Sequence, residues 1–178
     1  MALINTTTTG VLGTTVYGDG TGSLTVQQNG VTLGTYGNIP AFSAHITTSQ
    51  TAAADAYTKI QFATERFDTN NNYDNSTYRF TPTVAGYYFV SVSTYQSSYT
   101  GGGFLGITIY KSGSAFQEVV RLSPSTNPST IGGSCLVYLN GTTDYIEAYF
   151  YAANGTTVLV GGNGATLSHF DAILLKAA

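Results

Sequence analysis

The feature that most constrains this chain is a side-chain alternation of period two, repeated in short runs and broken every few residues by Gly, Asn, Ser or Pro. Phe42, Ala44 and Ile46 alternate with Ser43 and His45, and Leu105, Ile107 and Ile109 with Gly106 and Thr108. Tyr88, Val90 and Val92 oppose Phe89, Ser91 and Ser93, while Cys135, Val137 and Leu139 oppose Leu136 and Tyr138. Ile146, Ala148 and Phe150 are set against Tyr145, Glu147, Tyr149 and Tyr151. Successive strand side chains point to opposite faces, so each run reads as a strand with one core face. No stretch of helical length carries a 3.6-residue period. About eight to ten short strands without helices predict an all-β chain built as a two-sheet sandwich or jelly roll.

The last run sets Phe170, Ala172 and Leu174 against His169, Asp171, Ile173 and Leu175, and is apolar in part on both faces. In a chain with no helices, such a strand needs a second sheet on one side and another subunit on the other. The 14 Tyr point the same way, because Tyr tolerates burial with one wet end.

Charge narrows the partners. Asp, Glu, Lys and Arg make up 8% of the 178 residues, against about 25% in a typical domain. Thr, Ser, Asn and Gly supply the polarity instead. With a net charge of -3 and six scattered basic residues, neither nucleic acid nor an anionic membrane is an expected partner. No apolar run approaches the ~20 residues of a membrane helix. Aromatic content of 13% argues against disorder. Met1 to Thr6 holds no basic residue, so no secretory leader is expected and synthesis is placed in a cytoplasm. Cys135 is alone, so stability must come from packing or assembly rather than an intrachain disulfide. Four Asn-x-Thr triplets, at Asn5, Asn75, Asn140 and Asn154, read as chance in so Thr-rich a chain.

Residues 1–40 stand apart. They hold one charged residue, Asp19, and few bulky side chains. Ser23 to Gln27 and Val31 to Leu33 flank Gln28-Asn29-Gly30, the signature of a tight hairpin turn. Two strands do not stand alone in water, so the segment is expected to pack on something else. Its apolar residues Leu3, Ile4, Val11 and Leu12, with Val16, Tyr17, Leu24 and Val26, are the candidate docking contacts. The division is residues 1–40 as a docking arm and 41–178 as the body.

The chain offers little chemistry. In Ser168-His169-Phe170-Asp171, neighbouring residues point to opposite faces and cannot make a triad. His169 and Asp171 share a face and read as a structural or interfacial pair. Cys135 reads as a small buried hydrophobe. Asp144 and Glu147 fall on opposite faces and make a poor acid–base pair. Gly18 to Gly22 and Gly161 to Gly164 lack the helix and Lys of a phosphate loop and read as turns. Asp68 to Asp74 offers oxygen ligands without calcium-loop spacing and reads as a solvated loop. The expectation is no enzyme, no cofactor and no metal.

Phe62, Asp68, Tyr73, Phe80, Gly86 and Tyr88 carry more information. Phe80 ends a strand, Thr81 to Ala85 form a Pro-containing turn, Gly86 permits the bend and Tyr88 begins the next core strand. These spaced residues, with Tyr78 to Val90 around them, resemble the signature of the C1q-like family, relatives of tumour necrosis factor. Pro40 to Ala44 is similar to that family's first strand, Ile109 to Gly113 to its mid-domain hairpin, and Ser168 to Leu175, with Phe170, to its last. The resemblance covers about residues 40–176. Val90, Val92 and Ala172 depart from it, and no collagen-like repeat precedes it. What it implies is a C1q-like jelly roll of ten strands that assembles as a homotrimer around an apolar seam. Phe89 and Ile173 are the candidate seam residues.

Gly10 to Val26 resembles N-terminal segments of structural proteins from tailed bacteriophages. With a compact trimer, this implies a virion protein of capsid decoration (cement) type on the outer capsid surface, bound to the major capsid protein through residues 1–40. The alternative is a tail-fibre or receptor-binding tip that takes host surface glycans on the loops at Asn70–Asn75, Ser97–Gly103 and Ser123–Ser129. A secreted lectin of the same family would need a cleaved leader, against which Met1 argues.

Overall fold

The computed structural model describes residues 14–18, 24–28, 31–36, 39–124, 129–160 and 167–178, with no helix among them. The chain divides into two compact units, Met1–Ile39 and Pro40–Ala178. In the first, β1 (Thr14–Gly18), β2 (Leu24–Gln28) and β3 (Val31–Tyr36) form an antiparallel sheet in that order. The expected hairpin is β2–β3, and β1 pairs with β2 in addition, Val16 opposite Val26. Thr14-Thr15-Val16-Tyr17 is β-branched and aromatic, a composition that suits a strand, and it makes the expected two-stranded hairpin a three-stranded sheet. Val16 and Tyr17 thus lie on β1, and Leu24 and Val26 on β2. Leu3, Ile4, Val11, Leu12 and the Asn29-Gly30 turn fall outside the described residues, as does Gly161 to Gly164.

The second unit begins with β4 (Ala41–His45), β5 (Gln50–Ala52), β6 (Tyr57–Lys59) and β7 (Thr64–Asp68). Then come β8 (Tyr73–Asp74), β9 (Arg79–Phe80), β10 (Gly86–Tyr99), β11 (Leu105–Lys111) and β12 (Ser114–Leu122). The last are β13 (Ser129–Leu139), β14 (Ile146–Ala152), β15 (Thr157–Val160) and β16 (His169–Ala177). They form an antiparallel sandwich. One sheet has the order β5-β15-β10-β16-β4-β7, with β13 on the other side of β10. The second runs β12-β11-β14-β9-β8, with β6 also on β14. With the short pieces β5, β6, β8 and β9 counted, the two sheets hold 13 strands, seven and six, where the resemblance implies ten.

Aromatic rings join the sheets. Phe42 stacks on Tyr73 at 4.6 Å and on Phe80 at 4.5 Å, and meets Phe170 edge-on at 5.1 Å. Phe62 reaches Phe170 at 5.6 Å, and Tyr88 reaches Phe80 at 5.7 Å. All six are buried. The two phenols are satisfied inside: Tyr73 donates to the Phe62 carbonyl at 2.8 Å and Tyr88 to the Val84 carbonyl at 2.7 Å. Burial pushes both well above the ordinary phenol range.

Asp68 explains why a carboxylate belongs with these rings. Its Oδ1 accepts the Asn70 N–H at 3.2 Å and its Oδ2 the Tyr73 N–H at 2.6 Å. It closes the turn after β7 and delivers Tyr73 to the core. The expected solvated loop is therefore only half solvated, since Asn72 and Tyr73 are buried. Beyond it Asp74 accepts from the backbone and hydroxyl of both Ser76 and Thr77, and those donors hold its carboxyl at about 2.

Gly86 is needed for a different reason than a bend. It opens β10, and a Cβ there would press into the Lys176 carbonyl oxygen and sit 2.6 Å from Leu174 Cδ1. The glycine permits close approach of β16. Gly86→Ala is expected to cost about 2 kcal/mol or more by overpacking against backbone. Gly102→Ala, where a Cβ meets nothing within 4 Å, should stay within about 0.5 kcal/mol of the parent. Urea denaturation of both variants checks this, and equal midpoints would contradict it.

Candidate assembly face

On the outward side of the seven-stranded sheet the strand pairing gathers several exposed apolar side chains. β10 lies between β13 and β16, with Phe89 opposite both Leu136 and Ile173. One step along, Tyr87 faces Tyr138, ring to ring at 5.5 Å. A register shift in β16 beside Tyr87 and Tyr88 adds Leu175 to the same region. Leu136 and Leu175 are 58% and 59% exposed, and Phe89 and Ile173 are 39% and 43% exposed. The two candidate seam residues are thus neighbours across one strand pair. Leu136, Tyr138, Tyr87 and Leu175 belong with them. Alternation had turned Leu136 and Tyr138 outward, but only the β10–β13 pairing shows that they adjoin Phe89.

The same face turns polar further along β10. Ser91, Asp171 and Ser43 stand in register across β10, β16 and β4, with His169 opposite His45 next to them. His169 Nε2 is 3.6 Å from Asp171 Oδ2, and Arg66 donates to Ser43 Oγ at 3.2 Å. Desolvation, then the nearby Arg66 charge, lowers the His45 pKa. A groove of about 450 Å³ marks the border between the two halves, lined among others by Phe67, Phe89, Asp171 and Ile173.

The other candidates sit apart. Ser168 is buried and its Oγ accepts the Tyr95 N–H at 2.9 Å. Asp144 pairs with Lys111 at 2.9 Å. Glu147 is 1% exposed and its Oε1 holds Lys59 at 2.5 Å and Arg79 at 2.7 Å. The two carboxylates serve separate cations. Nothing in the alternation marked Glu147 as buried, because its cover comes from long side chains of β6 and β9. Among the described residues no three His, Cys, Asp or Glu groups come together as a metal cluster.

The loops named for a glycan fare unevenly. Asn71, Asp74 and Asn75 line an open polar groove. Ser97 to Tyr99 is not loop but the end of β10, and Tyr99 is buried with its hydroxyl on the Ala153 carbonyl at 2.5 Å. There a bulge at Ser97 carries the strand onward to pair with β15. Residues 125–128 lie outside the described residues.

The family model for the C1q domain matches residues 41–171. The chain belongs to the C1q domain family. Its fold is similar to the globular domain of zebrafish complement 1qA protein, at 15% identity and a TM-score of 0.56 over 78% of this chain and 99% of that one. It is similar to murine APRIL, at 10% identity and 0.58 over 77% and 99%. It is also similar to vertex protein P5 of phage PRD1, at 15% identity and 0.59 over 79% and 99%. Among curated proteins none matches the chain in sequence. The C1q domain match stops short of Ile173 and Leu175, so part of the apolar face lies past the matched segment.

Cys135 lies on the inner side of this C1q domain's β13, in the core, and burial pushes its thiol up to about 11. At pH 8 the native protein is expected to resist iodoacetamide, then react at the rate of a free thiol once unfolded in urea. Native labelling at the unfolded rate would show that the sheet edge opens.

Proposed function

We propose that this C1q-like chain is a bacteriophage virion structural protein, a homotrimeric capsid decoration (cement) protein. Residues 41–178 form the trimerisation domain, and residues 1–40 are the docking segment that binds the major capsid protein on the outer capsid surface. The observation that carries this reading is the exposed apolar patch of Phe89, Leu136, Tyr138, Ile173 and Leu175 on one sheet face. A patch of large side chains on a charge-poor chain favours burial against an equivalent patch, and a second and third copy of the chain supply it. The fold-level likeness to a phage vertex protein supports the virion setting. A three-stranded sheet of Thr, Val and Gln with no Asp, Glu, Lys or Arg in its strands suits docking by main-chain pairing and apolar contact.

Sedimentation velocity tests the trimer. The parent is expected at three times 18.7 kDa, and Leu136→Glu combined with Phe89→Ser at one. Both substitutions are on exposed positions, so far-ultraviolet circular dichroism should remain that of a β protein. A monomeric parent removes the assembly. For the location, an antibody to residues 41–178 should label whole phage heads evenly, and gold confined to the tail would replace decoration with a receptor-binding tip. Salt gives a further check: because few charges are involved, particles washed in 1 M NaCl should keep the protein. Release by such a wash would contradict docking through apolar and main-chain contacts.

A further inference from the structure

We propose that the outward face of the six-stranded sheet is a carbohydrate platform that takes a neutral, pyranose-based oligosaccharide. The proposal is independent of the trimer reading, since it concerns the other sheet. Alternation buries Ile146, Ala148 and Phe150 of β14, so the core has no use for the rings between them. Those outward rings nonetheless form a continuous row. Phe104 stacks on Tyr151 at 5.4 Å, Tyr151 meets Tyr57 at 5.0 Å, Tyr57 meets Tyr110 at 5.8 Å, and Tyr110 meets Tyr149 at 4.0 Å. The row spans β14, β6, β11 and the residue before β11. Tyr57 is 47% exposed and the other four rings are half-buried.

Two properties choose the occupant. The first is ring chemistry. Four of the five rings are Tyr, with none of the Leu and Ile that fill the opposite sheet's patch. A pyranose has a C–H face that carries partial positive charge and a rim of hydroxyls. The C–H face suits the negative face of an aromatic ring, and the hydroxyls suit phenols and carboxylates at its edge. A protein partner anchored in a hydrophobic core would find little aliphatic surface here.

The second is charge. Three cations and three carboxylates border the row, and they cancel. Arg121 lies 4.1 Å over the Phe104 ring and binds Glu118, Lys59 and Arg79 share Glu147, and Asp55 accepts from Tyr151 at 3.5 Å. A nucleic acid or other polyanion would need a surplus of positive charge, and this face has none. Gly106, opposite Tyr151, adds to the site. A Cβ there would sit 2.9 Å from Glu118 Oε1, so the missing side chain lets that carboxylate lie beside the ring row.

The test titrates the full chain with maltohexaose, cellohexaose and chitohexaose, with hexagalacturonate as the anionic comparison. With 14 Tyr and no Trp, the intrinsic fluorescence is Tyr emission to which the four Tyr of the row contribute, and calorimetry supplies Kd. At least one neutral hexasaccharide is expected to bind and to shift the Tyr emission. Tyr57→Ala and Tyr151→Ala should each weaken it about tenfold, while Tyr57→Phe keeps most of the affinity because the stacking face remains. Leu136→Glu, on the opposite sheet, should bind per chain as the parent does. Absence of binding by all three neutral sugars at millimolar concentration would overturn the proposal. So would preference for hexagalacturonate, unchanged affinity in the Tyr57→Ala, Tyr151→Ala double variant, or loss of binding in Leu136→Glu.

Discussion

The body of this protein depends on the packing of Phe42 between its two sheets. That ring comes from β4 in one sheet and stacks on Tyr73 and Phe80, which belong to the other. An antiparallel sandwich has no covalent tie between layers, and here no disulfide is available to supply one. Offset stacking adds orientation to what burial alone would leave nonspecific. It also accounts for the company those rings keep. Asp68 bends the chain so that Tyr73 arrives flat on Phe42, and the Phe62 carbonyl takes the phenol proton that burial would otherwise leave unpaired.

Much of this was legible in the residues themselves. Strand runs such as Tyr88-Val90-Val92 and Ile146-Ala148-Phe150 announce their inner faces, because a period of two has one physical cause. Pairing is another matter. β10 meets β13 and β16 from segments about forty and eighty residues further on, and no local pattern states such a partnership. For that reason the neighbourhood of Leu136 and Phe89 was out of reach, and with it the extent of the apolar face. Gly86 shows a subtler loss: a glycine before a strand looks like a turn residue, whereas its use is the nearness of another backbone. Glu147 looked like an ordinary outward charge because its burial is made by side chains from β6 and β9.

The two outer surfaces of the sandwich differ in kind. One is aliphatic and aromatic at one end and carries Ser, His and Asp at the other. The other is a row of four Tyr rings and Phe104 bordered by charges that cancel. A sheet face with unpaired apolar bulk and a sheet face with wet rings call for different neighbours. A chain with so few charges has little other means of distinguishing one side from the other.

The position of β16 has a kinetic consequence. It lies between β10 and β4, so the seven-stranded sheet has a gap in its middle until residues 169–177 exist. During synthesis, β4 and β10 are complete long before the strand that unites them. Such non-local pairing makes folding slow, and it leaves two strand edges and a row of core rings open to whatever arrives first. Until residues 169–177 are in place, the facing edges of β4 and β10 are unpaired backbone, the kind of surface on which a wrong strand can add.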